Sequence, residues 1–190
     1  IIKRVTNKDK RISSFFLKKN SGSAVARNTA IKESRGRYIA FLDADDLWKK
    51  EKLSYQLNFM NKNDVAFSFT SYQPISESGE IIYKEIEVPK QIDYQGLLKN
   101  TIIGCLTVIL DKKKLSNIYM PNYRTSQDLA LWLLIMRSGV CAYGLQKSLA
   151  YYRHVKKSST SNKIKVIRGV WSIYRNQEEL SLIKTIWCFV

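Results

Sequence analysis

At 190 residues, with 45% hydrophobic and 12% aromatic content, the chain has the apolar material for one domain with a sizeable core, which excludes a disordered polymer. Its 32 basic residues against 16 acidic ones, a formal charge of +16, call for a polyanionic partner: nucleic acid, an anionic membrane face or a phosphorylated substrate. The uncharged stretches, 100–110 and 129–136 among them, all fall short of the roughly 18–20 residues that cross a bilayer.

Three widely spaced cysteines, Cys105, Cys141 and Cys188, lie in apolar surroundings without zinc spacing, which suits small buried hydrophobes in a reducing, cytoplasmic compartment. In chain order, residues 12–17 suit a short strand, and Asn20-Ser-Gly-Ser23 forms a turn into a helix over 24–34, with Ser21 or Ser23 as its cap. Gly36 stands where a helix end takes a left-handed residue, and 38–42 is a continuous apolar run suited to a strand buried on both faces. Asp46 is placed to cap the next helix, where Leu53, Leu57 and Met60 recur at helical spacing while Lys49, Lys50 and Lys52 face water. Residues 65–75 and 80–88 flank the turn Ser76-Glu-Ser-Gly79 as a hairpin. A short helix over 93–99, a buried strand over 101–110 and an apolar helix over 126–137 capped by Ser126 follow. Strands at 140–144 and 149–153 and a helical tail over 166–186 complete the order. Alternation of this kind predicts an α/β fold with a mixed, mostly parallel sheet flanked by helices.

The strand at 38–42 empties three carboxylates, Asp43, Asp45 and Asp46, into a loop. Like charges so close repel unless a cation neutralises them, and the carboxyl edge of such a sheet is where ligands of open α/β folds sit. Magnesium or manganese favours carboxylate oxygens and leaves positions open for phosphate, so Asp43 and Asp45 suit a metal bridging a diphosphate. A bare acidic triplet reads equally well as turn and capping residues. Asp128 is the only carboxylate between Lys112 and Gln177, a stretch with thirteen lysines and arginines, and it opens an otherwise apolar helix. It reads either as a favourable N-terminal acid or as a general base at a pocket floor, oriented by Gln127. The stretch 151–161, with Arg153, Lys156, Lys157 and several hydroxyls, suits a loop folding over phosphate or a solvated basic loop. His154 is a weaker candidate metal ligand, and Trp48 or Trp132 can stack on a sugar or fill the core.

Asn20-Ser-Gly-Ser-Ala-Val-Ala-Arg-Asn28, Gly36-Arg-Tyr-Ile-Ala-Phe-Leu-Asp-Ala-Asp-Asp-Leu-Trp48 and Gln127-Asp-Leu-Ala-Leu-Trp132 resemble family 2 glycosyltransferases across essentially the whole chain. Phe67-Ser-Phe-Thr-Ser-Tyr72 and Ile103-Gly-Cys-Leu-Thr107 are similar to the bacterial teichuronic acid, capsule and O-antigen type within that family. The resemblance implies a GT-A fold and inverting transfer from a nucleotide-sugar donor to a saccharide or lipid-linked acceptor in cell-surface polysaccharide synthesis. It makes Asp43-Ala-Asp45 the DXD element, with Asp45 on a divalent Mg or Mn ion and Asp43, Gly22, Arg27, Arg153 and Lys157 on the donor. Asp128 is then the catalytic base, supported by Gln127 and Asp46. Many relatives have Glu where this chain has Gln127.

The same resemblance divides the chain into a catalytic domain over 1–160, with a donor half at 1–73 and an acceptor half at 74–160, and a helical tail over 161–190. Family members open with further strands that read the nucleotide base, so the first strands are expected to be missing and the chain to be a truncated form. The alternatives are an inactive remnant that binds nucleoside diphosphate and, more distantly, a basic nucleic-acid-binding protein. Against nucleic acid, no RNA or DNA motif is present and the basic residues are dispersed. A peripheral contact with the anionic inner membrane face fits the charge and a lipid-linked acceptor.

Overall fold

A six-stranded mixed sheet organises the computed structural model, which describes residues 2–155 and 162–189. The elements run α1 (Ile2–Lys8), α2 (Ser23–Glu33), β1 (Tyr38–Ala40), β2 (Leu47–Trp48), α3 (Lys52–Lys62), β3 (Phe67–Ile75), β4 (Gln91–Ile92) and α4 (Tyr94–Lys99). They continue with a 3-10 turn (Cys105–Thr107), β5 (Ile109–Asp111), α5 (Gln127–Met136), β6 (Ala142–Arg153), α6 (Lys163–Ser172), a π turn (Ile173–Gln177) and α7 (Leu182–Phe189). Strand order is β1-β5-β3-β6-β2, with β4 also on β6. The parallel part is the long β3–β6 pair, from Ser68 opposite Tyr143 to Ile75 opposite Arg153, and the other pairings are antiparallel.

The pair β3–β6 is the spine because β3 is apolar or small and buried along most of its length, Phe67 and Phe69 fully so. Burial on both faces suits a central strand. Against it packs α5, whose Leu129, Ala130, Leu131, Trp132, Leu133, Ile135 and Met136 are all buried. Trp132 lies within 5.7 Å of Phe41 and 5.2 Å of Phe67, ring centre to ring centre, so it is core and not a sugar platform. The C-terminal elements are stitched on by polar ties: Tyr174 Oη donates to the Leu98 carbonyl, Gln177 Nε2 to the Ala130 carbonyl, and Tyr94 Oη to Glu178 Oε2.

Several local expectations change. Residues 12–17 are not a strand; they are exposed, and among the described residues no strand pairs with them. The acidic loop does not lead straight into a helix, because Leu47 and Trp48 pair with Tyr151 and Ala150 as β2, and α3 begins only at Lys52. Asp46 therefore caps no helix. Lys52, expected in water, is fully buried. The hairpin after Gly79 is reduced to the isolated bridges Tyr72–Ile86 and Ile75–Ile81. Residues 101–110 form the 3-10 turn before a three-residue strand, since the Thr107 hydroxyl donates to the Gly104 carbonyl and closes the backbone there. The strands at 140–144 and 149–153 merge into β6, which absorbs register shifts near Ser71. The tail helix breaks at the π turn. Neither Ser21 nor Ser23 caps α2, and Ser126, in the left-handed region at φ 57°, makes no side-chain cap on α5.

Candidate active site

A cavity of about 350 Å³ opens between the acidic loop, the 3-10 turn, the start of α5 and the inner side of α6. Asp43, Asp45, Asp46, Arg27, Arg153, Gln127 and Asp128, singled out from sequence, all line it. Gly22 does not: with φ at 88° it sets the backbone entering α2, a conformation glycine adopts without a Cβ penalty. Lys157 lies outside the described residues.

The three loop carboxylates have different partners. Asp43 takes both its hydrogen bonds from Arg27 Nη2, at 2.5 and 2.6 Å. Burial alone would lower the Arg27 guanidinium, but Cys105, Asp43 and Asp128 around it outweigh that and raise it, so it stays a cation. Asp46 is buried and accepts the Arg153 backbone N–H at 2.9 Å. Burial, with Asp45 and Asp43 adding repulsion, pushes its carboxyl up to about 6 against the pull of that hydrogen bond. Asp45 is exposed at the cavity lip, and among the described residues its carboxylate has no partner.

Arg153 is less free than a phosphate-binding loop requires. Its Nε donates to the Asp45 carbonyl at 2.7 Å and its Nη1 to the Ser76 and Glu77 carbonyls at 3.1 and 2.9 Å. It holds the acidic loop in shape from β6. His154 is exposed and meets Tyr83 and Tyr152 edge-on, a surface role. Among the described residues no three Asp, Glu, His or Cys side chains converge as a metal cage.

Asp128, on the same cavity, sits in the first turn of α5, partly exposed. Burial raises its carboxyl above the ordinary range, Asp43 adds to that, and Arg27 with the backbone N–H groups of Asp128 and Leu129 pulls the other way. A carboxylate made more basic by its surroundings while facing a cation is suited to taking a proton. Gln127 is turned from it: Nε2 donates to Ser23 Oγ at 2.7 Å, tying α5 to the start of α2, and among the described residues its buried Oε1 has no partner.

The structure adds wall residues to which the sequence assigned no role in the site. Tyr72 and Tyr152 meet edge-on at 6.0 Å, Gly104, Cys105 and Leu106 line the cavity with the carboxylates, and Val166 and Val170 close the side under α6. At Gly169 a Cβ would come within 2.2 Å of Thr125 Oγ1, so glycine lets α6 settle against the segment before α5.

A model of glycosyl transferase family 2 matches residues 1–153. The chain belongs to glycosyl transferase family 2. It is 48% identical over 190 residues to the putative teichuronic acid biosynthesis glycosyltransferase TuaG of Bacillus subtilis (strain 168), covering 100% of this chain and 75% of that protein. It is 37% identical over 166 residues to the UDP-Glc:alpha-D-GlcNAc-diphosphoundecaprenol beta-1,3-glucosyltransferase WfgD of Escherichia coli, covering 87% and 64%. Among solved structures, S. aureus TarS 1-349 in complex with UDP-GlcNAc superimposes with a TM-score of 0.68 at 16% identity, over 97% of this chain and 57% of that one. At that identity the likeness shows the fold, the GT-A arrangement. This family 2 chain thus spans 57% to 75% of the lengths of these three proteins.

Proposed function

We propose that this chain transfers a sugar from a nucleoside-diphosphate sugar to a hydroxyl of a saccharide or lipid-linked acceptor in bacterial cell-surface polysaccharide synthesis, with inversion at the anomeric carbon. The observation that carries the reading is the convergence on one cavity of the acidic loop, Arg27 and Asp128, whose carboxyl is raised by burial. The names of TuaG and WfgD support the substrate class.

In this mechanism Asp128 accepts the proton of the acceptor hydroxyl as its oxygen bonds to the anomeric carbon, while the bond from that carbon to the diphosphate oxygen breaks on the opposite face. One carboxylate acting as base makes displacement in a single step, hence inversion, the simpler course. Arg27 carries positive charge toward the departing diphosphate and keeps Asp43 oriented. Asp45, exposed and unpartnered among the described residues, fits a divalent magnesium or manganese ion, which binds through one or two carboxylates plus phosphate oxygens and needs no protein cage. Held by Asp45, such an ion would supply positive charge to the leaving diphosphate.

The acceptor side has a second feature in keeping with a lipid-linked substrate. While Val166 and Val170 of α6 line the cavity, Ile164 and Ile167 point to solvent among the exposed Lys163, Lys165 and Arg168. An exposed apolar face flanked by basic residues suits peripheral contact with an anionic membrane. Among the described residues no helix is long and apolar enough to cross a membrane.

The test of the reaction class is incubation with UDP-glucose or UDP-N-acetylglucosamine, manganese and a polyprenyl-diphosphate saccharide, reading acceptor-dependent UDP release and the anomeric coupling of the product by NMR. Inverted product supports the reading. Retained configuration contradicts the single-base mechanism.

A further inference from the structure

The 3-10 turn that walls the cavity is held from behind by a polar network that neither the family match nor the mechanism uses. Lys52 on α3 is fully buried, and its Nζ donates to Gln56 Oε1 at 2.7 Å and to the Thr107 carbonyl at 3.5 Å. Gln56, also fully buried, donates from Nε2 to the same Thr107 carbonyl and to Ser68 Oγ, both at 2.9 Å. Trp48 completes the set: its Nε1 donates to the Leu106 carbonyl at 2.8 Å, and the Lys52 ammonium lies 4.6 Å from its ring centre. Within the turn, the Thr107 hydroxyl and backbone N–H both donate to the Gly104 carbonyl. The carbonyls of Gly104, Leu106 and Thr107 are thus each committed to a donor, two of them to side chains reaching from outside the turn.

Such a network is expensive to place there. Among the described residues no carboxylate pairs with Lys52, and burial alone lowers its ammonium to about 7. A buried lysine without a counter-ion is a weak device for stability, since an apolar side chain of similar shape would fill the space without the desolvation cost. Its reach is specific instead: it grips the turn whose other side, Gly104 to Leu106, faces Arg27 and Asp128. Cys105 shows how near that is, since the charges of Asp128, Arg27, Asp43 and Asp46 all act on its thiol.

We infer that Lys52, with Gln56 and Trp48, is a positioning residue that fixes the Gly104–Thr107 turn as the wall against which the transferred group is held next to Asp128. The geometry of the turn is independent of any function; only its role toward a sugar rests on the reading above.

Two arms separate these. In Lys52→Met, and in Trp48→Phe as a milder variant that removes only one N–H donor, maleimide labelling of each cysteine is followed by peptide mass spectrometry. The rate at Cys105, 7% exposed, should rise at least about tenfold in Lys52→Met and less in Trp48→Phe, while the rate at the equally buried Cys188, 8% exposed, stays unchanged. An unchanged Cys105 rate, or a parallel rise at Cys188, overturns the assignment. Calorimetric titration in manganese with UDP and with UDP-glucose is the second arm. The variants should bind UDP within about threefold of wild type and lose at least about tenfold for UDP-glucose; equal weakening of both contradicts a role at the sugar. If the wild-type chain binds neither ligand, that counts against the glycosyl-transfer reading, and the thiol rates still decide the turn.

Discussion

Asp46→Asn should make the chain more stable at pH 8 and leave it unchanged at pH 4. The Asp46 carboxyl is 7% exposed and raised from 3.8 to about 6, first by burial and then by Asp45 and Asp43, with the Arg153 N–H opposing. A carboxyl raised in the folded state holds its proton more tightly there than in the unfolded chain. Stability therefore falls as pH rises from about 4 to about 6, and above that the native state carries an unfavourable charge. The displacement corresponds to about 3 kcal/mol at ~1.4 kcal/mol per pH unit, an upper bound. Asparagine keeps an oxygen to accept the Arg153 N–H and has no charge to desolvate. Urea denaturation of both proteins at the two pH values isolates the effect, because every other titrating group is common to them. The variant should gain about 1–3 kcal/mol at pH 8 and nothing at pH 4. A difference equal at both pH values, or a loss at pH 8, would refute the reasoning.

Three further outcomes follow from the same site. Manganese with UDP should raise the thermal midpoint of the wild type, and Asp45→Ala should abolish that shift while leaving the midpoint without ligand unchanged, as expected of an exposed side chain. The acid limb of the transfer rate should lie above the ordinary carboxylate range, because Asp128 is raised and its protonated form cannot accept a proton. In Arg27→Met the limb should move to still higher pH, since Arg27 is what lowers that carboxyl; a limb that moves down contradicts the electrostatics. Sedimentation with vesicles of phosphatidylglycerol, but not of phosphatidylcholine, should capture the chain, and Ile164→Asp with Ile167→Asp should release it. Equal capture of the double variant would show that α6 is not the contact.

The sequence made the two groups of cavity acids legible because each breaks a strong local trend: three acids in a strongly basic chain, and one acid at the head of an apolar helix. It did not show how they are wired. Asp46 looked like a helix cap because a helical pattern follows it, but Leu47 and Trp48 first pair with β6, and the distance to Lys52 leaves no helix end to cap. Arg153 looked free for phosphate because its loop is basic, whereas tertiary folding brings three backbone carbonyls to it. Charge and a place off the Leu53, Leu57 and Met60 face put Lys52 in water on sequence, whereas it is fully buried. The signal that corrects it is Lys52 and Gln56 one helical turn apart on α3, with Trp48 in the strand before them, all three reaching carbonyls of a turn some fifty residues away. That turn was itself read as strand, since its apolar residues fit either and only the Thr107 to Gly104 closure separates them.

The central claim, that Asp128 is the base opposite a donor-binding loop, is tested most directly by Asp128→Asn, with acceptor-dependent UDP release and UDP affinity measured on the same preparation. Transfer should fall about 10²–10⁴-fold, the range for loss of a general base, with UDP affinity within about threefold of wild type. Transfer retained at the wild-type rate, with the same UDP affinity, would contradict it.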